Sequence, residues 1–309
     1  MKFAFVFPGQ GSQSIGMMQG YADSKAVREV FAEAAEVLKQ DLKKLVEDGP
    51  AEQLNSTVNT QPLMLTAGYA AYRAWREAGG AEPAVVAGHS LGEYTALVAA
   101  GALAFRDALP LVRFRAQAMQ EAVPVGEGAM AAILGLEDDA VLAACSEAAQ
   151  GQVVEPVNFN APSQVVIAGH KPAVERGAAA AKARGAKLAV MLPVSAPFHS
   201  SLLKPAADRL AAYLGDVKMN APRIPMVNNV DVAMEQEPRR IKEALARQAC
   251  NPVRWVEVVR RIAGEGIAHV AECGPGKVLA SLTKRIDRNL QSYSITDMQT
   301  LEQTLQAFK

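Results

Sequence analysis

Residues 84–97 read AVVAGHSLGEYTAL, in which an apolar run stops at the pentapeptide GHSLG and an alanine-rich segment follows. The first run predicts a buried strand over 84–87, and the second predicts a helix over 93–100. Gly-x-Ser-x-Gly between a strand and a helix is the nucleophile-elbow pattern, because its glycines allow a sharp turn that exposes the serine hydroxyl. The pattern therefore favours Ser90 as a nucleophile over the plainer interpretation, a serine that caps a helix.

The composition and charge of the chain narrow its class. Half of its 309 residues are hydrophobic, which is enough to bury a large core. Lys plus Arg and Asp plus Glu both number 32, so the chain lacks the basic excess that is typical of nucleic-acid binders. We therefore expect no nucleic-acid partner.

The cysteines and the N-terminus indicate a cytoplasmic protein. Three scattered cysteines form neither a disulfide framework nor a metal-ligand spacing, which fits a reducing compartment. The first ten residues, MKFAFVFPGQ, hold too short an apolar stretch for a signal peptide. Because no segment reaches the roughly 18 apolar residues of a membrane span, we expect no membrane association.

Strands and helices alternate along most of the chain, and the strands are almost continuously apolar. This pattern indicates a mostly parallel sheet with helices on both faces, an α/β fold with a hydrolase-like large domain. The helix that opens at Gln61-Pro62 is expected to hold its proline in the first turn. Outside residues 126–195, the predicted strands are 3–7, 84–87, 225–228 and 269–272, and the predicted helices are 26–38, 61–78, 93–100, 202–214, 239–249, 256–263 and a final one after Gly274-Pro275-Gly276.

Residues 126–195 show a different order of strands and helices, which predicts an inserted subdomain. The order is strand, helix, two strands joined by a turn at residues 160–163, helix and strand, which is the ferredoxin-like βαββαβ arrangement. The large domain then consists of residues 1–125 and 196–309. A cleft between the two parts is the expected ligand site.

A serine nucleophile needs a base, and the chain has only four histidines. His89 adjoins Ser90 and would point elsewhere, while His170 and His269 open regular elements. His199 lies in an irregular, proline-containing loop, VSAPFHSSLL, and loops often carry functional residues. Elimination therefore favours His199, whose imidazole takes the serine proton and later returns it. No acid is suitably placed to orient the ring, so a neutral acceptor such as a carbonyl is expected.

An arginine occupies the apolar side of a helix that the segment 111–120 predicts. Arg115 shares its face with small or apolar residues, whereas Arg113 faces the polar side. A charge on a core-facing stripe is costly unless it is paired. Two explanations remain open: a structural ion pair with a distant acid, or a cleft-facing guanidinium that binds a carboxylated acyl group through two parallel hydrogen bonds.

These segments together resemble a known family over nearly the whole chain and in the right order. The motifs that carry the resemblance are PGQGSQ (8–13), GHSLGEY (88–94), FRAQAMQ (114–120), the His199 loop, RQACNPVRW (247–255) and ECGPGKVL (272–279). With these motifs, the sequence resembles the malonyl-CoA:acyl carrier protein transacylases.

The resemblance implies a role for each matching residue. Ser90 is the acylated nucleophile, His199 its base and acid, and Arg115 the residue that holds the malonyl carboxylate. The backbone N–H groups of Gln10 and Leu91 form the oxyanion hole. In the same family pattern, Gln248 supplies an oxygen that orients His199, Gln61 lines the site, and Phe198 resembles the malonyl-selective form of the residue before the histidine.

The resemblance also implies the partners: malonyl-CoA and acyl carrier protein, with no cofactor and no metal. We expect a monomer, since no heptad or exposed apolar stripe stands out. The alternatives are a serine thioesterase or esterase, an acyltransferase that loads polyketide carrier proteins, a malonate decarboxylase subunit, and a non-catalytic module that binds carrier protein. The last alternative does not need a serine, a histidine and an arginine together.

Overall fold

The computed structural model describes residues 1–309, which form nine strands and thirteen α-helices. The strands are β1 (Phe3–Phe7), β2 (Val85–Gly88), β3 (Gly128–Leu134), β4 (Val154–Ala161), β5 (Gln164–His170), β6 (Leu188–Met191), β7 (Met226–Val227), β8 (His269–Cys273) and β9 (Gln291–Ile295). The helices are α1 (Lys25–Leu38), α2 (Leu42–Asp48), α3 (Ala51–Asn55), α4 (Thr57–Glu77), α5 (Gly92–Ala99), α6 (Phe105–Glu121), α7 (Asp138–Ala149), α8 (Lys171–Ala183), α9 (Lys204–Asp216), α10 (Pro238–Gln248), α11 (Trp255–Gly264), α12 (Val278–Ile286) and α13 (Met298–Ala307).

The central sheet has five parallel strands in the order β7-β2-β1-β8-β9. Strand β1 lies in the middle, and all five of its residues are buried, as expected for a strand covered on both faces. The carboxyl ends of β1 and β2 meet at one edge, where ligands bind in open α/β sheets. This sheet confirms the predicted α/β fold class.

A second, antiparallel sheet has the order β4-β5-β3-β6, which is the ferredoxin-like topology expected for the insertion. Helices α7 and α8 pack on one face of it. The other face contributes Met130, Val166 and Ala168 to the main core. The two sheets therefore share a packed boundary, although the exact division at 125/126 and 195/196 stays a prediction.

Two predictions about the helices were wrong: the start of the helix at Gln61-Pro62, and the position of the helix after residue 276 as the last element of the chain. Helix α4 begins at Thr57, four residues before Gln61, so Pro62 lies inside the helix and not in its first turn. The β-branched and polar residues at 57–60 favour a helix only weakly. Thr57 and Thr60 are nevertheless buried there, and the Thr60 hydroxyl donates to the Leu54 carbonyl at 2.6 Å.

The helix after the Gly274-Pro275-Gly276 turn is α12, and it is not the last element. Strand β9 and helix α13 follow it. Strand β9 (QSYSI) lies at the edge of the sheet and is largely half-buried or exposed, so it lacks the apolar run that marks a buried strand. No helix of the chain has both the length and the apolarity to cross a membrane.

Candidate active site

The elbow is a tight turn that only glycine permits on either side of the serine. A Cβ atom on Gly88 would lie 1.9 Å from the carbonyl carbon of Gly92, and one on Gly92 would lie 2.1 Å from the Phe7 carbonyl oxygen. Ser90 itself has φ +52°, an unusual value for a residue with a side chain. The turn thus places a strained serine between β2 and α5, at the carboxyl edge of the central sheet.

The hydroxyl of Ser90 meets the imidazole of His199. Ser90 Oγ lies 2.7 Å from His199 Nε2, and His199 Nδ1 lies 2.8 Å from the backbone carbonyl oxygen of Gln248. A carbonyl oxygen only accepts, so Nδ1 carries the proton and Nε2 presents its lone pair to the serine hydroxyl. The orienting group is therefore a neutral carbonyl.

The environment of His199 keeps its ring neutral. The side chain is buried, and burial together with the nearby Arg115 charge lowers the imidazole pKa from 6.5 to about 3. A neutral imidazole has a lone pair available for the serine proton at physiological pH. The buried arginine also opposes positive charge on the ring before substrate arrives.

We predict that His199 stays neutral down to pH 5. In ¹⁵N-histidine spectra, its resonances should keep the pattern of the Nδ1-protonated tautomer from pH 8 to pH 5, with assignment by their loss in His199→Asn. Because the folded pKa lies below the unfolded value, this residue should lower the free energy of unfolding as pH falls below about 6.5. Imidazolium signals of His199 between pH 6 and 7 would contradict the prediction.

Arg115 is 2% exposed and points into the same site from α6. It donates to Gln61 Oε1 at 2.7 Å, to Gln248 Oε1 at 2.9 Å and to Ser90 Oγ at 3.2 Å. Its guanidinium carbon also lies 5.4 Å from the centre of the Tyr94 ring. All three hydrogen-bond acceptors are neutral oxygens, so the structure does not show the ion pair that was one explanation for this residue.

These groups open onto a cavity of about 620 Å³ between the two sheets. The lining residues include all the predicted site residues except Gln248: Gln10, Gln61, Ser90, Leu91, Arg115, Phe198 and His199. The backbone N–H groups of Gln10 and Leu91 donate no hydrogen bond within the chain. Both are thus available to an oxyanion. Gln248 lies behind the lining and contacts it through His199 and Arg115.

The apolar part of the cavity comes from both parts of the fold. Phe198 is 9% exposed and lines the cavity with Met119 of α6 and Met130 of β3. Asn158 of β4 and the 192–194 segment after β6 complete this side. The insertion therefore supplies one wall of the site.

The other three histidines contact residues other than Ser90. His89 Nε2 lies 2.8 Å from Asn160 Oδ1, and the His89 ring packs on Trp255. His170 accepts the Val153 N–H at 2.9 Å, and the His269 ring stacks on Tyr293. No group of three or more His, Cys, Asp or Glu side chains is arranged to hold a metal ion.

Sequence reasoning missed two buried residues that contact the site, Glu93 and Asn229. Asn229 accepts the Ser90 N–H at 2.7 Å, and Glu93 accepts a hydrogen bond from the Gln248 side chain at 3.0 Å. The signal for Glu93 was a single carboxyl in the otherwise apolar helix GEYTALVA. Asn229 follows a strand of only two residues, and nothing in its local sequence marks it.

Two curated relatives of this chain have the same description. Residues 4–303 match the family model described as an acyl transferase domain. The malonyl CoA-acyl carrier protein transacylase of Escherichia coli (strain K12) is 55% identical over 306 residues, which are 99% of this chain and 99% of that protein. The protein of the same name from Bacillus subtilis (strain 168) is 44% identical over 310 residues, covering 100% of this chain and 98% of that one.

Solved structures agree in fold. An acyl-carrier-protein S-malonyltransferase from Burkholderia pseudomallei 1710b has a TM-score of 0.98 and 66% identity, with 99% of this chain and 100% of that chain covered. A malonyl-transacylase in complex with its type II PKS acyl-carrier protein has a TM-score of 0.98 and 51% identity, with the same coverage.

Proposed function

Because the chain belongs to the acyltransferase family and, within it, to the malonyl-CoA:acyl carrier protein transacylases, we propose that it moves a malonyl group from malonyl-CoA to the phosphopantetheine thiol of acyl carrier protein. The observation that carries the proposal is the meeting of Ser90, His199 and Arg115 in one cavity, with Ser90 Oγ 2.7 Å from the histidine and 3.2 Å from the arginine. A nucleophile, a base and a fixed positive charge are the three groups that such a transfer requires.

In the first half of the reaction, Ser90 attacks the thioester carbonyl while its proton passes to His199 Nε2. The carbonyl oxygen of the tetrahedral intermediate takes up negative charge near the N–H groups of Gln10 and Leu91. The carbon–sulfur bond then breaks, and His199 returns the proton to the departing coenzyme A thiolate. Malonyl-Ser90 and free coenzyme A are the products.

In the second half, the same groups act in reverse order. The phosphopantetheine thiol gives its proton to His199 Nε2, and the thiolate attacks the ester carbonyl of malonyl-Ser90. The carbon–oxygen bond breaks, and His199 returns the proton to Ser90. The hydrogen bond from Nδ1–H to the Gln248 carbonyl, 2.8 Å long, keeps the ring in one orientation through both halves.

Arg115 supplies the selectivity for a carboxylated acyl group. Only one methylene separates the malonyl carboxylate from the thioester carbonyl, so the group that binds it has to lie beside the nucleophile. The Arg115 guanidinium does so, because one of its nitrogens donates to Ser90 Oγ itself. Gln61 and Gln248 each hold one end of the guanidinium through a side-chain oxygen. We infer that the carboxylate takes the place of Ser90 Oγ as an acceptor and so receives two parallel hydrogen bonds from this end of the guanidinium.

The proposal also covers the compartment in which the enzyme works and the carrier protein that it serves. Three free cysteines suit a reducing compartment, and we place the enzyme in the cytoplasm, where it supplies malonyl groups for fatty acid synthesis. One relative was solved with a type II PKS acyl-carrier protein, which makes polyketide loading the second candidate. The monomeric state stays a prediction.

We expect transfer to carrier protein and little hydrolysis. In a thiol-exchange assay with malonyl-CoA and purified holo-carrier protein, malonyl-carrier protein should form at a rate that exceeds malonate release in the absence of carrier protein by at least about a hundredfold. The physical reason is that an acyl-enzyme survives only where water is kept from it. Equal rates of malonate release and transfer would favour the thioesterase alternative. Parallel assays with fatty acid and type II PKS carrier proteins separate the two candidate pathways.

A further inference from the structure

One buried carboxyl joins a loop and the end of a helix to the elbow, and no step of the mechanism above uses it. Glu93 is 1% exposed and lies in the first turn of α5, three residues after the nucleophile. Its Oε2 accepts the backbone N–H of Asn229 at 2.9 Å and the side-chain amide of Gln248 at 3.0 Å. A single oxygen atom thus ties the loop after β7 and the end of α10 to the elbow helix.

The loop after β7 holds the serine through Asn229. The Asn229 side chain accepts the Ser90 N–H at 2.7 Å and donates to the Gly88 carbonyl, also at 2.7 Å. Through these two hydrogen bonds, Asn229 connects Gly88 and Ser90 across the turn from β2 to α5. A non-glycine residue with φ +52° persists only where the surroundings hold it, and Asn229 supplies that hold.

The second contact holds the base and the arginine. Gln248 accepts from His199 Nδ1 through its backbone oxygen and from Arg115 through its side-chain oxygen. Its side-chain nitrogen donates both to Glu93 and to the Ser90 carbonyl, the latter at 2.9 Å. A shift of this one residue would therefore move the histidine and the arginine relative to the serine.

We propose that Glu93 is a positioning residue for the transfer reaction, whose Oε2 keeps the serine, the histidine and the arginine in register by accepting hydrogen bonds from Asn229 and Gln248. The proposal rests on the proposed function of the site. Glu93 acts through two properties: Oε2 accepts hydrogen bonds, and the side chain is long enough to bring that atom to both donors. Burial raises the pKa of Glu93 to about 7, and Oε2 remains an acceptor whether or not the other oxygen carries a proton.

Three variants separate the effect of the hydrogen-bond acceptor from the effect of side-chain length. Glu93→Gln keeps both, Glu93→Asp keeps the acceptor and loses one methylene of reach, and Glu93→Met keeps the length without an acceptor. The measurement is the single-turnover rate at which malonyl-CoA acylates Ser90. We expect Glu93→Gln to stay within about tenfold of the wild type, and both other variants to acylate about 100-fold more slowly, because small misplacements of reacting groups have effects of that size.

A spectroscopic readout and a matched control exclude a general loss of stability. The Nδ1–H resonance of His199 should shift in Glu93→Met and Glu93→Asp but not in Glu93→Gln. Glu272 is another fully buried carboxyl, which accepts the Ala280 N–H at 2.8 Å and does not line the cavity. Glu272→Asp should lower the unfolding temperature and leave the acylation rate at the wild-type value.

Several results would overturn the proposal. These are wild-type acylation by Glu93→Asp and Glu93→Met, a loss no larger than that of Glu272→Asp, or a Glu93→Gln variant as slow as the other two. Should Glu93→Asp fail to fold, the comparison of Glu93→Met with Glu93→Gln decides. A wild-type protein that accumulates the malonyl adduct on Ser90 upholds the proposed function whichever way the Glu93 variants behave.

Discussion

Replacement of Ser90 by alanine is expected to abolish the covalent malonyl adduct and to lower the transfer rate by at least about 10⁴-fold. Intact-mass spectra of the wild-type protein mixed with malonyl-CoA should show a species heavier by one malonyl group, and the Ser90→Ala spectrum should lack it. The physical reason is direct: the hydroxyl 2.7 Å from His199 Nε2 is the atom that forms the ester. The variant removes one oxygen, and the contacts of the elbow backbone to Asn229 and Gln248 remain, so the fold should be unchanged.

A second serine close in sequence to the base provides the control for this experiment. The hydroxyl of Ser201 lies outside the cavity and donates to Glu155 at 2.8 Å. Ser201→Ala should therefore form the adduct at the wild-type rate. Persistence of the adduct in Ser90→Ala would show that another group is acylated and would remove the basis of the proposed mechanism.

Replacement of Arg115 by alanine is expected to change the preferred acyl group. Loss of a buried charge-assisted pair with the malonyl carboxylate removes about 3 kcal/mol of binding, which corresponds to about a 100-fold fall in kcat/KM for malonyl-CoA. Acetyl-CoA has no carboxylate to lose, so the ratio of malonyl to acetyl transfer should fall by a similar factor. The measurement is kcat/KM for both thioesters with the same carrier protein.

Two variants on the same helix make this experiment specific. Arg115→Lys keeps the positive charge but cannot offer two parallel N–H donors, so it should recover only part of the malonyl preference. Arg113→Ala removes an arginine that is half-buried, donates to the Leu38 carbonyl at 3.1 Å and does not line the cavity. It should leave the ratio unchanged. An unaltered malonyl-to-acetyl ratio in Arg115→Ala would rule out the carboxylate role.

The site combines a neutral base with a positive charge, and the two are linked. Burial, and after it the Arg115 charge, lowers the pKa of His199 and keeps the ring neutral before substrate binds. When a malonyl carboxylate pairs with Arg115, its negative charge offsets that of the guanidinium, and the penalty for protonating the histidine falls. In the proposed mechanism, a substrate carboxylate bound to Arg115 therefore makes it easier for His199 to receive the serine proton. An uncharged acyl group gives no such compensation.

Local patterns in the sequence were enough to predict most of the elements and to single out the three reactive residues. The apolar run, the paired glycines and the alanine-rich segment predicted β2, the turn at Ser90 and α5, because strand and helix periods and glycine turns are written within a few residues. The position of Arg115 on an apolar helix face and the irregular loop around His199 singled out both residues for the same reason. The resemblance to a family then connected Gln10, Gln61, Leu91 and Gln248 with them, which local patterns alone did not.

Only the tertiary structure decided how these residues meet. Ser90 and His199 are 109 positions apart, and Ser90 and Gln248 are 158 apart, so their contacts depend on how the sheet edge, α10 and the insertion pack. Tertiary structure also decided four features that the sequence did not predict: the roles of Asn229 and Glu93, the early start of α4 and the existence of β9. In each case the deciding interactions are packing contacts or hydrogen bonds to distant parts of the chain, and those interactions exist only once the core has formed.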